Sequence, residues 1–219
     1  VLMAMLPAFL FAVYNFGLGA VYITALAVFF CVGSEYLIVR FLLKRPISIF
    51  DGSAAITGAL LAFNVPSNLP WYILLIGSIV SIGIGKLSFG GLGNNPFNPA
   101  LVGRVFLLLS FPVQMTSWPV PGATLSLDAV TNATPLGTLK DGLRTGESVD
   151  ALMAGMPSYS DYFFGLHGGS LGEMSAFALL MGLIYLLYRK IITWHITVSM
   201  LVAILAMTSI FWLIDPSRY

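Results

Sequence analysis

Long apolar runs that end at small clusters of basic residues dominate the sequence. The clearest run extends from Leu18 to Val39 and is followed by Arg40, Lys44 and Arg45. About 20 apolar residues cross a bilayer as a helix, and an excess of Lys and Arg marks its cytoplasmic end. The chain is 58% hydrophobic and 9% charged, against about 25% charged residues in soluble domains. The sequence therefore predicts an all-α polytopic protein that lies in a lipid bilayer.

Two other apolar segments are too short to cross. Ser53 to Phe63 follows a helix-start signal at Asp51, and Pro99 to Phe111 follows a loop rich in Gly and Asn. Each rises about 20 Å or less as a helix, whereas the hydrocarbon core is about 30 Å thick. Broken helices persist at that depth where they line a cavity, and their free N-termini bind polar ligands. We predict about seven membrane segments, two of which are half-helices.

The one long hydrophilic stretch, residues 112–172, separates an N-terminal membrane part, residues 1–111, from a C-terminal membrane part, residues 173–219. The stretch holds more acidic than basic residues. The basic residues Lys86, Arg189 and Lys190 fall at the opposite ends of the neighbouring apolar segments. By the positive-inside rule this stretch is an extracytoplasmic loop.

Two charges lie within apolar segments. Glu35 is near the end of the first long helix, where we expect its side chain to extend towards the interface. The alternative is a buried carboxylate on an ion path. Arg104 falls inside the second half-helix, where an unpaired charge would be costly.

A short polar pattern, Asp128-x-x-Thr131-x-Ala133-Thr134, lies within the hydrophilic stretch. It resembles the motif at which a separate flavin transferase joins FMN to a threonine through a phosphoester. Small residues around Thr134 leave its hydroxyl accessible to such an enzyme. Two simpler interpretations stay open, because Asn132 opens an N-x-Thr glycosylation sequon and Thr-Pro is a common turn.

Four separated motifs, in the same order, resemble the D subunits of the Rnf ion-translocating ferredoxin:NAD oxidoreductases, a family shared with the B subunits of the sodium-translocating NADH:quinone reductases. They are Phe50–Ser53, the loop and helix start Gly90–Gly103 with the following Ser110–Trp118, the threonine pattern, and Gly168–Glu173.

The resemblance implies an electron-carrying subunit of a prokaryotic inner-membrane complex that moves Na⁺ or H⁺. It implies covalent FMN on Thr134, with Asp128, Thr131 and Ala133 as part of the motif that the flavin transferase reads. It also implies a non-covalent riboflavin, for which we expect contacts at Asn95 and Asn98 in the matching loop.

The same resemblance implies partners and a larger fold. The partners are other subunits of the complex, including one that carries an extracytoplasmic FMN. Proteins of this kind have two inverted repeats of helices, so we expect the chain to be a piece of a longer protein that ends early in its second repeat.

Three other functions remain as alternatives. The chain could be the B subunit of a sodium-translocating reductase, or a scaffold whose glycines serve helix packing. It could also be a transporter or channel, because Asn98-Pro99-Ala100 at a half-helix start is an aquaporin signature and broken helices suit a solute path.

Composition argues against several kinds of site. The net charge of +1 does not favour nucleic acid, and Cys31, His167 and His195 are too scattered in the sequence to form a metal site. We predict no catalytic residue in this chain, because electron transfer through a flavin uses the chemistry of the cofactor.

Overall fold

The computed structural model describes residues 1–45, 49–119, 131–132, 135–147, 149–165, 169–173 and 175–214. Within these ranges the chain is mainly helical, as predicted. The N-terminal part begins with two helices: α1 spans Leu2–Phe16, and α2 spans Leu18–Leu37 and continues as a π-helical turn at Ile38–Leu43.

The two predicted half-helices are both present. Helix α3 spans Ser53–Phe63, as predicted. Helix α4, Trp71–Val80, then continues as a π-helical turn at Ser81–Lys86 and a short 3₁₀ turn at Leu87–Phe89. Helix α5 spans Pro99–Ser110 and ends one residue earlier than predicted. Phe111 leaves the helical region because a proline follows it, and proline disfavours helical backbone at the preceding residue.

The hydrophilic stretch, which we predicted to be a loop, contains several short helices and a pair of short strands. Its elements are α6 (Pro112–Met115), the paired strands β1 (Trp118–Pro119) and β2 (Thr131–Asn132), α7 (Pro135–Thr145), α8 (Val149–Ala154) and α9 (Tyr159–Phe164). After it come α10 (Ala176–Tyr188) and α11 (Trp194–Ile214).

Apolar length supports the membrane assignment. Among the described residues, three helical segments are long and apolar enough to span a bilayer: Leu18–Leu43, Trp71–Phe89 and Trp194–Ile214. Four shorter apolar helices accompany them, at Leu2–Phe16, Ser53–Phe63, Pro99–Ser110 and Ala176–Tyr188. The protein is thus a multi-pass membrane protein, and the total of about seven membrane segments stays a prediction.

Helices α2, α3, α4 and α5 form the core around small residues. A Cβ atom at Gly58 of α3 would lie 2.7 Å from the carbonyl oxygen of Ala27 in α2, so only glycine permits this approach. Gly85 has the same role beside α5, where a Cβ would lie 2.9 Å from the Cα of Pro99. Close backbone approach through small residues is how membrane helices gain packing energy. It brings the ends of α2 and α4 against the starts of α3 and α5.

Candidate functional site

A buried ion pair joins the ends of two long helices. Lys86 Nζ lies 2.7 Å from both carboxylate oxygens of Glu35, and the two residues are 2% and 0% exposed. The expectation that Glu35 extends towards the interface is therefore wrong, and Lys86 is not a solvated charge at a helix end. A charge inside a membrane protein is tolerated when an opposite charge pairs with it. The burial of each of these two residues is therefore explained by the presence of the other.

The pair extends by hydrogen bonds to the start of the first half-helix. Lys86 Nζ donates to Ser53 Oγ at 2.5 Å, and Ser53 Oγ donates to Asp51 Oδ1 at 2.6 Å. Asp51 Oδ1 also accepts the backbone N–H of Ser53 at 2.8 Å, which satisfies one of the free donors at the helix start. Four charged or polar side chains from three parts of the chain thus form one network.

Asp51 keeps its negative charge within this network. Partial burial acts to raise the pKa of its carboxyl group, but the side-chain and backbone hydrogen bonds from Ser53 and the charge of Lys86 lower it. The lowering effects win, and the pKa of Asp51 lies below its ordinary value. The carboxylate form is the one that accepts both hydrogen bonds.

Irregular helical turns lie beside the ion pair. The π-helical turn at Ile38–Leu43 begins three residues after Glu35, and the one at Ser81–Lys86 ends at Lys86 itself. Single π-helical turns inside α-helices occur frequently at functional sites. The coincidence of two such turns with one buried ion pair marks this end of the bundle as a candidate site.

Two cavities meet at Lys86. The first, which we call the half-helix cavity, has a volume of about 420 Å³ and is lined by Ser53, Thr57, Lys86, Asn95, Asn98 and Pro99, among others. Because Ser53 and Pro99 are the first residues of α3 and α5, the N-terminal ends of both half-helices open onto it. Its volume lies within the range of about 300–1,000 Å³ that small-molecule sites occupy.

The second cavity, which we call the charged cavity, has a volume of about 220 Å³. Glu35, Arg45, Asp51 and Lys86 line it, together with Gly90 and Gly91. Among the described residues no group of three or more His, Cys, Asp or Glu side chains comes together to form a metal site.

The two asparagines predicted to contact riboflavin both line the half-helix cavity, and they differ in their hydrogen bonds. Asn98 Oδ1 accepts the backbone N–H of Ala100 at 3.0 Å and caps α5. Asn95 Oδ1 is buried and has no hydrogen-bond partner within the described structure. A buried acceptor without a donor is costly, so Asn95 suits a ligand that brings a donor into the cavity. The asparagine contacts themselves stay a prediction.

Arg104 has polar partners, which agrees with the expectation that an unpaired charge within a half-helix would be costly. Its Nη1 donates to Asn64 Oδ1 at 2.9 Å, and Asn64 Nδ2 donates to the carbonyl of Leu60 at 2.7 Å. A longer contact of 3.8 Å joins Arg104 Nη2 to Glu173 Oε1. The guanidinium therefore ties α5 to the C-terminal end of α3.

Of the residues of the threonine pattern, Thr131 alone is within the described structure. It lies in β2, opposite Pro119 in the antiparallel pair with β1. Asp128, Ala133 and Thr134 lie outside the described residues, so their predicted roles stay predictions. The β1–β2 pair returns the chain to the segment that follows α5 and α6, at the far end of the second half-helix from the cavity.

Comparison with known proteins identifies the family. The model of the "NQR2, RnfD, RnfE family" matches residues 1–219. The chain belongs to this family.

Individual relatives agree with the family match. The D subunit of a Na⁺-translocating ferredoxin:NAD⁺ oxidoreductase complex from Acetobacterium woodii is 48% identical over 206 residues, which are 93% of this chain and 61% of the relative. The D subunit of a proton-translocating complex of the same type from Clostridium ljungdahlii is 42% identical, over 92% of this chain and 60% of the relative.

A third relative carries a more general name. The D subunit of an ion-translocating oxidoreductase complex from Ectopseudomonas mendocina is 40% identical, over 97% of this chain and 64% of the relative. The chain thus spans somewhat less than two thirds of the length of these three relatives. The Rnf resemblance predicted from the motifs is confirmed at the level of the family.

Sequence reasoning missed the pairing of Glu35 with Lys86. A signal was present, because Glu35 lies near the basic end of one apolar segment and Lys86 forms the basic end of another. Intramembrane charges usually pair, but the sequence offers no local pattern that joins residues 51 positions apart.

Proposed function

We propose that the chain is a flavin-carrying membrane subunit of an Rnf-type complex, which passes electrons between ferredoxin and NAD and couples their transfer to Na⁺ or H⁺ transport. The observation that carries this proposal is the family match along the whole chain, together with relatives named as the D subunits of such complexes. The chain would act as part of the oxidoreductase, with other membrane subunits and an extracytoplasmic FMN subunit as partners.

The coupling ion is not assigned by similarity. One relative is named as Na⁺-translocating and another as proton-translocating, at similar identities to this chain. The proposal therefore includes both ions.

The first flavin is FMN, joined by a flavin transferase to Thr134 through a phosphoester. Support comes from the pattern Asp128-x-x-Thr131-x-Ala133-Thr134 in a member of this family. The threonine hydroxyl would become the ester oxygen, and the flavin would supply the redox chemistry. In our topology this loop is extracytoplasmic, because Arg40, Lys44 and the charged cavity lie at the opposite ends of the helices.

The second flavin is a non-covalent riboflavin in the half-helix cavity. The cavity offers a suitable volume and an unpartnered acceptor at Asn95. It also offers the N-terminal ends of α3 and α5, whose backbone dipoles favour electron-rich groups. The side chains of Asn95, Asn98 and Ser53 would orient the polar edge of the ring system, and the apolar residues of the lining would pack against the ring.

This arrangement separates the two proposed flavins along one element. Helix α5 begins at the half-helix cavity and, at about 1.5 Å per residue over 12 residues, extends about 18 Å. The β1–β2 pair that precedes the attachment threonine follows its other end. Electrons would pass between a loop at one face of the membrane and a cavity towards the other.

The channel and scaffold alternatives account for less of the chain. The side-chain oxygen of Asn98, the first residue of the aquaporin-like triplet, caps α5, which is a sufficient structural reason for that asparagine. A scaffold of packed glycines leaves the cavity and the buried ion pair without a role.

Absorption and mass spectrometry test the proposal on the complex purified from its own host. We expect a yellow preparation, one FMN retained on this subunit after denaturation, and riboflavin released on denaturation. A colourless complex would reject the flavin function, whereas release of all flavin on denaturation would reject only the covalent attachment.

A further inference from the structure

Lys86 and Leu92 line both cavities, and Lys86 is the charged residue of the two. Its ammonium group has three N–H donors, and three acceptors surround it: two oxygens of Glu35 and one of Ser53. Ser53 lines the half-helix cavity, and Glu35 lines the charged cavity. The positive charge of Lys86 thus lies between the half-helix cavity and the charged cavity, and it contacts one residue from the lining of each.

Stability alone does not explain such a pair. Replacing a buried ion pair by apolar residues of similar volume is often neutral or stabilising, because removing two charges from water is costly. The pair also lies where two π-helical turns interrupt regular helix. A role for the charge itself is consistent with both observations.

The effect of this charge on the half-helix cavity follows from electrostatics. A ligand that accepts an electron there gains negative charge, which the Lys86 ammonium attracts and the Glu35 carboxylate repels. Lys86 is the closer of the two, since it lines that cavity and Glu35 does not. At the lower effective dielectric constant of a protein site such interactions are stronger than in bulk solvent.

We propose that the positive charge of Lys86 raises the reduction potential of the ligand in the half-helix cavity. Glu35 limits this effect by neutralising part of that charge. This inference rests on the proposed riboflavin site. It assigns to the ion pair the role of setting how readily the bound ligand accepts an electron.

Two variants isolate the charge of Lys86 in the intact complex. Glu35→Gln keeps the ammonium without its carboxylate, and Glu35→Gln with Lys86→Met removes both charges while retaining similar side-chain volumes. The two proteins differ only at position 86. Redox titration followed by absorption gives the potential of the non-covalent flavin, and chromatography after denaturation gives its content.

We expect the flavin to be retained in both variants. The reduction equilibrium constant of the non-covalent flavin should be at least tenfold lower in the double variant than in Glu35→Gln, which is about 59 mV for one electron. Wild type should lie between them. The proposed covalent flavin on Thr134, which follows the β1–β2 pair in the sequence, serves as an internal control whose potential should not change.

Each other result has a separate meaning. Equal potentials in the two variants would overturn the role of Lys86 and leave the riboflavin site intact. Loss of the flavin from both variants would assign the pair to holding the half-helix ends together, and would also overturn the proposal. Absence of non-covalent flavin from the wild-type complex would reject the proposed riboflavin site, and this inference with it.

Discussion

Arg104 and Asn64 join the two half-helices, with the guanidinium of one donating to the side-chain oxygen of the other at 2.9 Å. Asn64 follows the last residue of α3, and Arg104 lies in the middle of α5. The half-helices thus share the half-helix cavity at their starts and this hydrogen bond further along.

Replacing Arg104 should destabilise the protein. A hydrogen bond to a charged group contributes about 1.5–3 kcal/mol, so Arg104→Gln should lower the apparent Tm of the detergent-solubilised complex by several degrees. Glu173→Gln is the matched control. Its 3.8 Å contact is partly exposed, and such ion pairs contribute about 0–1 kcal/mol. Equal losses in the two variants would contradict the assignment to Asn64.

Thr134→Val should abolish the covalent flavin. Valine has nearly the shape of threonine but no hydroxyl, so it cannot form the phosphoester. We expect the fluorescent band on a denaturing gel to disappear while the protein still inserts. Thr131→Val is the control and should only reduce the modification. A Thr134→Val protein that remains fluorescent after denaturation would show that the flavin is attached elsewhere.

Asn95→Leu should reduce the content of non-covalent riboflavin and leave the covalent flavin intact. It removes the buried acceptor that has no partner within the described structure, so loss of this side chain should not cost a hydrogen bond seen in the protein. High-performance chromatography of the flavins released on denaturation measures the effect. Unchanged riboflavin would reject the contact.

Asn98 needs a different substitution, because it also caps α5. Loss of an N-cap costs about 0.5–2 kcal/mol, so Asn98→Leu would disturb the helix as well as the cavity. Asn98→Asp keeps the oxygen that accepts from Ala100 and removes the amide donors. We expect Asn98→Asp to lower riboflavin content with little change in apparent Tm. Retention of full riboflavin would show that Asn98 serves only as a cap.

Labelling of introduced cysteines tests the orientation. The single native cysteine, Cys31, is buried, so background labelling should be low. Glu147→Cys, at an exposed position of the hydrophilic stretch, should react with an impermeant maleimide in intact cells. Arg189→Cys should react only after lysis. The reverse pattern would invert the topology and place the flavin loop in the cytoplasm.

The half-helices could be predicted because their signals are local. Proline and asparagine at the start of α5, and Asp51 before α3, are start signals that act within a few residues. The bounds Ser53–Phe63 were confirmed for this reason. That they line a cavity was also expected, because short apolar helices persist at membrane depth only in protected positions.

The ion pair could not be predicted in the same way. Glu35 was expected to extend towards the interface because a carboxylate near a helix end can reach water. In the structure Glu35 instead pairs with Lys86, on a helical segment that is remote in sequence and packs beside the end of α2, where a Cβ at Gly83 would lie 3.4 Å from Ile38 Cδ1. Contacts of this kind depend on tertiary packing, which periodicity and composition do not encode.

The short helices of the hydrophilic stretch were missed for a related reason. Helix α9 spans only Tyr159–Phe164, and its start depends on reciprocal hydrogen bonds between Ser158 and Asp161. Isolated helices of this length are unstable in water, so the sequence alone favours a loop. Neighbouring elements stabilise them in the folded protein, as where Phe163 packs against Phe177 of α10.

The separation of Glu35 and Lys86 along the chain has a consequence for biosynthesis. Glu35 leaves the ribosome 51 residues before its partner, which at about 5–20 residues per second is a delay of about 3–10 s. Near the end of its helix, an unpaired Glu35 still makes insertion of α2 less favourable, by less than the about 2.5–3.5 kcal/mol that a charge costs at a helix centre. Helix α2 should therefore remain beside the insertion machinery until the helix that carries Lys86 arrives, and the two should enter the lipid as a pair.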